Sequence, residues 1–195
     1  MSLSKREKLD NFYRSYRDQY CNEELVNGYG NIDSEIVLIG EAPGREEVKR
    51  GIPFVGAAGK NLDIILNRLG IAKEDIYTTN TFNYRLSRIS ERTGSKVNRP
   101  ATAAEIFAAV SYLKEEIDII RPTYLITLGN VPLKTLTYDF FRPIGEVHGE
   151  NLLIDILERD YNLIPLYHPA SLIYNRKLED VYFNDIDKLK RILLS

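Results

Sequence analysis

Cysteine is nearly absent from this chain of 195 residues, which contains only Cys21. A single cysteine excludes an intrachain disulfide and any cluster held by four cysteines. Neither sign of charge dominates, because 26 basic residues face 28 acidic ones and leave a net charge of −2. A uniformly basic surface is therefore excluded, and any affinity for nucleic acid must come from a local patch.

Long hydrophobic runs are also missing. No apolar run approaches the roughly 18 residues of a membrane span. The N-terminal segment MSLSKREKLD lacks the apolar core of a signal peptide. A length of 195 residues suits one domain with a sizeable core. We therefore expect a single domain over residues 1–195, soluble and cytoplasmic, without membrane contact.

Hydrophobic runs typical of buried strands alternate with helical patterns along the chain. The runs predict strands over residues 36–40, 75–79, 123–129 and 163–167. Apolar residues at helical spacing predict helices over about 4–20, 60–69, 102–121, 132–137 and 178–194, the third opened by a capping box at Thr102 and Glu105. Residues 145–157 read as an extended excursion or hairpin, and 87–100 as a long irregular stretch. This alternation predicts a three-layer α/β/α fold with a central four-stranded parallel sheet.

Polar side chains follow three of the predicted strands. Glu41 comes directly after the first strand, Asn80 after the second, and His168 after the fourth. In an open parallel sheet, groups just past the carboxyl ends of the strands share one crevice, where ligands bind. We therefore expect an acid, an amide and an imidazole in one cleft, which together make a candidate active site.

Five ordered segments carry a resemblance to a known family. The segments all lie within residues 36–175, and they are GEAPGREE, GIPFVGAAGKNLD, TTN, LGNVPLKTL and YHPASLIYN. They resemble the uracil-DNA glycosylase superfamily and are most similar to its family 4. The resemblance implies a monofunctional glycosylase that flips deoxyuridine out of DNA, hydrolyses its N-glycosidic bond and leaves an abasic site. Two alternatives remain: a glycosylase for another deaminated base, such as hypoxanthine or xanthine, and a catalytically silent nucleic-acid-binding domain.

The resemblance also implies roles for the site residues. Glu41 would position the attacking water and stabilise positive charge on the sugar. Phe54 would stack on the extruded base, and the amide of Asn80 would pair with the uracil edge. His168 would donate a hydrogen bond to uracil O2 as negative charge builds there. The remaining base-pocket candidates are Gly40, Ala42, Gly44 and Glu47, the last also readable as a first-turn helix acid.

Each role has a structural alternative on the residues alone. Glu41 could be a solvated carboxylate, Phe54 a core aromatic, and Asn80 a turn residue. A histidine at a strand end is usually structural, and the second histidine, His148 in GEVHG, is expected to be peripheral.

DNA contacts are predicted in two regions. Residues 82–100 carry five basic side chains and one acid, Glu91, a local balance of +4. This segment is expected to contact phosphates. The predicted DNA-binding residues are Arg85, Arg88, Arg92, Gly129, Pro169, Ser171, Leu172 and Ile173. The resemblance implies that Leu172 or Ile173 would insert into the gap that the flipped base leaves in the DNA stack.

Two departures from family 4 stand out. Members of that family hold an iron–sulfur cluster on four cysteines, whereas this chain has Cys21 followed by Glu24, with Tyr84 and Ala108 or Ala109 in the later two regions. We therefore expect no cluster, no metal and no organic cofactor. The second departure is Tyr174, which replaces an arginine often found in the wedge loop. The expected partner is DNA containing uracil or another damaged base, bound by a monomer.

Overall fold

A six-stranded sheet forms the centre of the computed structural model, which describes residues 3–171 and 178–194. Numbered along the chain, its strands are β1 Tyr29–Gly30, β2 Ile36–Gly40, β3 Tyr77–Asn80, β6 Tyr124–Leu128, β7 Leu152–Asp155 and β8 Asp160–Leu166. They lie in the order β1-β3-β2-β6-β8-β7. β3, β2, β6 and β8 run parallel, and β1 and β7 are antiparallel edge strands.

The predicted fold class is confirmed, but the predicted strand number is wrong. The four expected parallel strands form the middle of the sheet, and two edge strands bring the total to six. β1 has only two residues, too few to show an alternating pattern. β7 lies inside the segment predicted as an extended excursion, and it pairs with β8.

Six helices flank the sheet within the described residues. They are α1 Lys5–Gln19, α2 Arg45–Arg50, α3 Ala57–Leu69, α4 Ala103–Ile120, α5 Asn130–Thr137 and α6 Glu179–Leu193. The capping box predicted at the start of α4 is present, since the Thr102 hydroxyl accepts from the Glu105 N–H and the Glu105 carboxylate accepts from the Thr102 N–H. None of these helices is both long and apolar enough to cross a membrane.

The helices form two layers because strand side chains alternate between the two faces of the sheet. Val37 and Ile39 of β2 pack on one side with residues of α1 and α4. Leu38, between them, packs on the other side with residues of α3 and α6. Both faces of the central strands are therefore buried, which explains their nearly continuous hydrophobic sequences.

The stretch predicted as irregular contains a hairpin instead. β4 (Ser87–Ile89) pairs antiparallel with β5 (Lys96–Asn98), apart from the main sheet. The connecting turn is closed by a hydrogen bond from the Ser90 N–H to the Ser95 carbonyl, 2.9 Å long. Gly94 lies in that turn with a φ of 65°, a value that favours glycine. Strands of three residues are too short for their periodicity to be recognised in the sequence.

Candidate active site

The carboxyl ends of the parallel strands bring the predicted site residues together. One cavity of about 310 Å³ has among its lining residues Ala42, Glu47, Phe54, Asn80 and His168. A second hollow of about 370 Å³ shares Ala42 and His168 with the first and adds Glu41 to the lining. The acid and the amide therefore line two hollows that share the imidazole, although the three residues are far apart in sequence.

Gly40, at the end of β2, allows the close approach of two residues that line the cavity. A Cβ atom on this residue would lie 2.5 Å from Asn80 Oδ1 and 2.7 Å from Phe54 Cζ. Both distances are shorter than real side chains permit, so only glycine lets the amide and the aromatic ring approach the end of β2. Asn80 and Phe54 are themselves buried, with exposures of 4% and 6%.

Phe54 has a strained backbone that other residues hold in place. Its φ of 54° lies in the left-handed region, which is uncommon for a bulky residue. The Lys73 ammonium donates to the Phe54 carbonyl at 2.7 Å. A Cβ on Gly59 would lie 2.0 Å from that same carbonyl oxygen. Strain of this kind is maintained only where neighbouring contacts determine the conformation, and here they orient a ring that lines the cavity.

Glu47 connects the two loops that form one wall. Its carboxylate accepts from the Gly44 N–H at 3.1 Å, from the Val55 N–H at 3.1 Å and from the Gly56 N–H at 2.7 Å. The first bond belongs to the start of α2, and the other two reach the loop that carries Phe54. Glu47 therefore lines the cavity and also fixes the relative position of its two loops.

Glu41 is half-buried at the start of the loop that follows β2. Burial raises its pKa above the usual value of 4.5, and a backbone hydrogen bond from Ala101 partly opposes that shift. A carboxylate with little water around it exerts a stronger field on neighbouring charge than one on the open surface.

His168 has a defined hydrogen-bonding pattern. The Ala170 N–H donates to its Nδ1 at 3.1 Å, so the neutral ring carries its proton on Nε2. Burial lowers its pKa below the usual value of 6.5, which favours that neutral form. Gly129 packs behind the side chain: its φ is 96°, and a Cβ there would lie 3.3 Å from His168 Cβ.

Asn61 fixes the loop that carries His168, and it was not among the site residues predicted from the sequence. Its side-chain amide donates to the carbonyl of Pro169, which is buried, at 2.8 Å. Asn61 lies within the GKNLD segment, so its place in that motif was the signal that could have identified it. Ser171 lines another hollow, of about 240 Å³, together with Glu41 and His168.

The predicted DNA-binding residues fall into different environments. Arg88 and Arg92 are exposed on the β4–β5 hairpin, and within the described part of the chain neither forms an ion pair. Arg85 is only 6% exposed and donates to Asn98 Oδ1 at 2.9 Å and to the Lys96 carbonyl at 3.3 Å. Its guanidinium therefore holds the hairpin rather than pointing to solvent. Leu172, Ile173 and Tyr174 lie outside the described residues.

Two further basic residues of this segment are engaged by acids. Arg99 donates twice to Glu105, at 2.9 and 2.6 Å, and Lys96 lies 2.9 Å from Glu24 Oε2. The local excess of positive charge counted from the sequence is therefore concentrated on the exposed side chains at positions 88 and 92.

Aromatic rings occupy the region where the resemblance would place an iron–sulfur cluster. Tyr84 stacks on Tyr20 with ring centroids 4.9 Å apart, and Tyr112 meets Tyr20 edge-on at 5.7 Å. Cys21 is exposed, and residues 3–171 and 178–194 contain no group of three or more His, Cys, Asp or Glu side chains suited to a metal ion. The residues present do not fit a cluster, since a phenol ring stands where a thiolate ligand is required.

Comparison with known proteins supports the resemblance drawn from the motifs. A family model described as the uracil DNA glycosylase superfamily matches residues 27–190. A type-4 uracil-DNA glycosylase from Archaeoglobus fulgidus is 35% identical over 84% of this chain and 79% of its own length. The type-4 enzyme from Saccharolobus solfataricus is 37% identical over 89% and 78% of the two chains, and that from Thermotoga maritima is 36% identical over 87% and 83%.

Proposed function

The chain belongs to the uracil DNA glycosylase superfamily, and we propose that it hydrolyses the N-glycosidic bond of uracil in DNA and leaves an abasic site. One observation carries this proposal: His168 lines both a hollow that contains Asn80 and the buried ring of Phe54 and a hollow that contains Glu41, so that an imidazole, an amide and an acid from three strand ends lie in neighbouring hollows. Each of these groups matches a separate requirement of the reaction.

Base recognition is assigned to Asn80 and Phe54. A side-chain amide offers one donor and one acceptor, which match uracil O4 and N3–H, whereas cytosine presents the reverse pattern. Stacking on Phe54 contributes affinity for any flipped base, because every base has a π face. The contacts of both residues with Gly40 support this assignment, since they limit the positions that a base in the cavity can take.

Stabilisation of the leaving group is assigned to His168. As the bond from the sugar to the base breaks, negative charge develops on uracil O2. A neutral imidazole whose Nδ1 already accepts from the Ala170 N–H has its Nε2–H available to donate to that oxygen. A preorganised donor in a site with little water stabilises such charge more than it does the ground state.

Activation of water is assigned to Glu41. The water oxygen forms the new bond to the sugar C1′ and gives up one proton to the Glu41 carboxylate, and uracil leaves as an anion with the electron pair of the broken bond. An ionised carboxylate nearby accepts a hydrogen bond from the water and stabilises the oxocarbenium-like sugar. The position of Glu41 in hollows that His168 also lines supports a shared substrate, with the two groups acting on opposite developing charges.

Binding of the DNA backbone is assigned to the β4–β5 hairpin. Arg88 and Arg92 are exposed there, and guanidinium groups bind phosphate in a bidentate manner. The segment from Ser171 onward, of which residues 172–177 lie outside the described part of the chain, is assigned from its motif alone to entry into the minor groove. Replacement of both arginines by alanine tests the hairpin, with Arg14 and Arg17, exposed on α1, as a control pair that removes the same charge.

A panel of oligonucleotides tests the proposed activity. Single- and double-stranded substrates would each contain one uracil, hypoxanthine, xanthine or thymine, and strand cleavage after alkali would report abasic sites. We expect cleavage at uracil and none at thymine. Cleavage only at hypoxanthine or xanthine would assign a different base, and no cleavage with retained DNA binding would indicate a silent binding domain.

A further inference from the structure

A buried acid forms a hydrogen bond with the segment that follows Asn80 and has no role in the reaction described above. Glu116 of α4 is 1% exposed. Its Oε1 accepts from the hydroxyl groups of Tyr13 at 2.5 Å and Tyr77 at 2.9 Å, and its Oε2 accepts from Asn83 Nδ2 at 3.2 Å. Burial raises its pKa above the usual value, and these hydrogen bonds lower it in opposition.

Asn83 is held on every side. Its Oδ1 accepts from the Thr79 hydroxyl at 3.2 Å, and its Nδ2 donates to Glu116. Its backbone N–H donates to the Tyr16 hydroxyl at 3.1 Å, and its carbonyl accepts from the Val26 N–H at 2.8 Å. The side chain and the backbone of Asn83 are therefore fixed with respect to β3, α1 and α4 together.

The residues between Asn80 and Asn83 join the TTN segment to the GEAPGREE segment. The Thr81 N–H donates to the Gly40 carbonyl at 2.8 Å, and the Phe82 N–H donates to the Glu41 carbonyl at 2.9 Å. Gly40 and Asn80 are also register partners in the sheet. The short segment 80–83 therefore carries the Asn80 amide at one end and is anchored by Asn83 at the other. Its middle residues form hydrogen bonds with the backbone of Gly40 and Glu41.

From this arrangement we propose that Glu116 and Asn83 are positioning residues that set the placement of Asn80 relative to Glu41. The inference rests on the proposed function, because those two side chains are its base reader and its water-activating acid. Displacement of a reacting group by about 1 Å can lower a rate by about 10²-fold, so a brace that prevents such displacement has a catalytic consequence.

Reversing the donor and the acceptor in the Glu116–Asn83 hydrogen bond tests this role. In Glu116→Gln the amide oxygen stays with the two tyrosine hydroxyls and the amide N–H faces Asn83 Nδ2, so that two donors meet. Rotation of the Asn83 amide would relieve this clash only by breaking its hydrogen bond from the Thr79 hydroxyl. Asn83→Asp places two carboxylates against each other. In the double variant, the amide at position 116 donates to the carboxylate at 83, with the same size and net charge as the original pair. The other partners, Tyr13, Tyr77 and Thr79, still have an acceptor to donate to.

Single-turnover cleavage with saturating enzyme is the primary readout. We expect each single variant to cleave at least about tenfold more slowly, and the double variant to return to within about threefold of wild type. Affinity for a uracil-free duplex should stay within about twofold in all three. Single variants within threefold of wild type, or a double variant no faster than the slower single one, would overturn the proposal.

A stability control separates positioning from folding. Ile156→Val, in the turn between β7 and β8, removes one buried methylene group, and it should lower the unfolding temperature without slowing cleavage. If a single variant does not fold, the double variant carries the test. A folded double variant within threefold of wild type supports the proposal, and one more than tenfold slower contradicts it.

The side-chain amide resonance of Asn80 gives a readout that is independent of activity. It can be identified in ¹⁵N spectra by its loss in Asn80→Asp. We expect it to shift in the folded single variants and to return in the double variant, and an unchanged resonance in the singles would refute positioning. If the wild-type protein releases uracil from no substrate, the proposed function fails, while this resonance still decides whether Glu116 and Asn83 place Asn80.

Discussion

Replacing His168 with alanine should slow uracil release far more than it weakens DNA binding. The substitution keeps the Cβ atom of residue 168, which packs against Gly129. A Cβ added to Gly129 would lie only 3.3 Å from that atom. It removes the imidazole, whose Nδ1 accepts from the Ala170 N–H and whose Nε2–H is free to donate. The perturbation is therefore confined to one donor and to one backbone N–H beside the cavity.

The expected magnitude follows from the environment of that donor. The imidazole is neutral, because burial lowers its pKa, so the substitution removes a single uncharged hydrogen bond to a developing oxyanion. Removal of one such preorganised donor typically costs about 10²–10³-fold in rate, or about 3–4 kcal/mol of transition-state stabilisation. The ground-state carbonyl oxygen of uracil is a weaker acceptor, so affinity should change by much less.

Single-turnover kinetics with saturating enzyme on a uracil-containing duplex measures this effect. Binding to the same duplex without uracil provides the comparison for affinity. His148→Ala serves as the matched control, because that ring lies tilted against Tyr167, forms a hydrogen bond with Asp185 and lines none of the hollows that His168 lines, and its removal should leave the rate within about threefold. If His168→Ala also cleaves within threefold of wild type, the leaving-group assignment is wrong.

Three further predictions concern pH, base choice and salt. The rate should fall in acid with a midpoint above 4.5, because Glu41 must be ionised and burial raises its pKa, while burial lowers the pKa of His168 and keeps its ring neutral further into acid; a rate that stays level down to pH 4.5 would contradict the role of Glu41. Asn80→Asp should slow uracil release and admit cytosine, and unchanged release would leave Asn80 as a turn residue. Joint replacement of Arg88 and Arg92 by alanine should make the slope of log K against log salt shallower by about 1 for each phosphate group that the variant no longer neutralises, and an unchanged slope would place the DNA surface elsewhere.

Local patterns were sufficient for the central strands and for five of the six helices, whereas α2 has six residues and no buried side chain, and so shows no apolar stripe. Ile36–Gly40 is a continuous apolar run because both faces of β2 are covered, and Thr102 with Glu105 marks the start of α4 through a capping box that needs only four consecutive residues. The positions of Glu41, Asn80 and His168 followed from the same runs, since a polar residue after a buried parallel strand lies at a known edge of the sheet.

Short elements and side-chain partners depended on the tertiary structure. β1 and the β4–β5 hairpin have too few residues for periodicity, and their pairing partners determine their conformation. Arg85 counts as surface charge in the sequence, yet it is buried because Asn98 and Lys96 return along the hairpin to accept its hydrogen bonds.

Glu116 illustrates the division between the two kinds of information. Its sequence signal was a carboxylate within the apolar stripe of α4, between Leu113 and Ile117. An acid at such a position is buried only where other groups pair with it, and the pairing groups come from α1, from β3 and from the loop that follows β3. The sequence by itself determined which residue types stand at the strand ends and that no four-cysteine cluster can form. Only the tertiary structure decided which side chains meet, because burial and hydrogen-bond partners depend on segments that are distant along the chain.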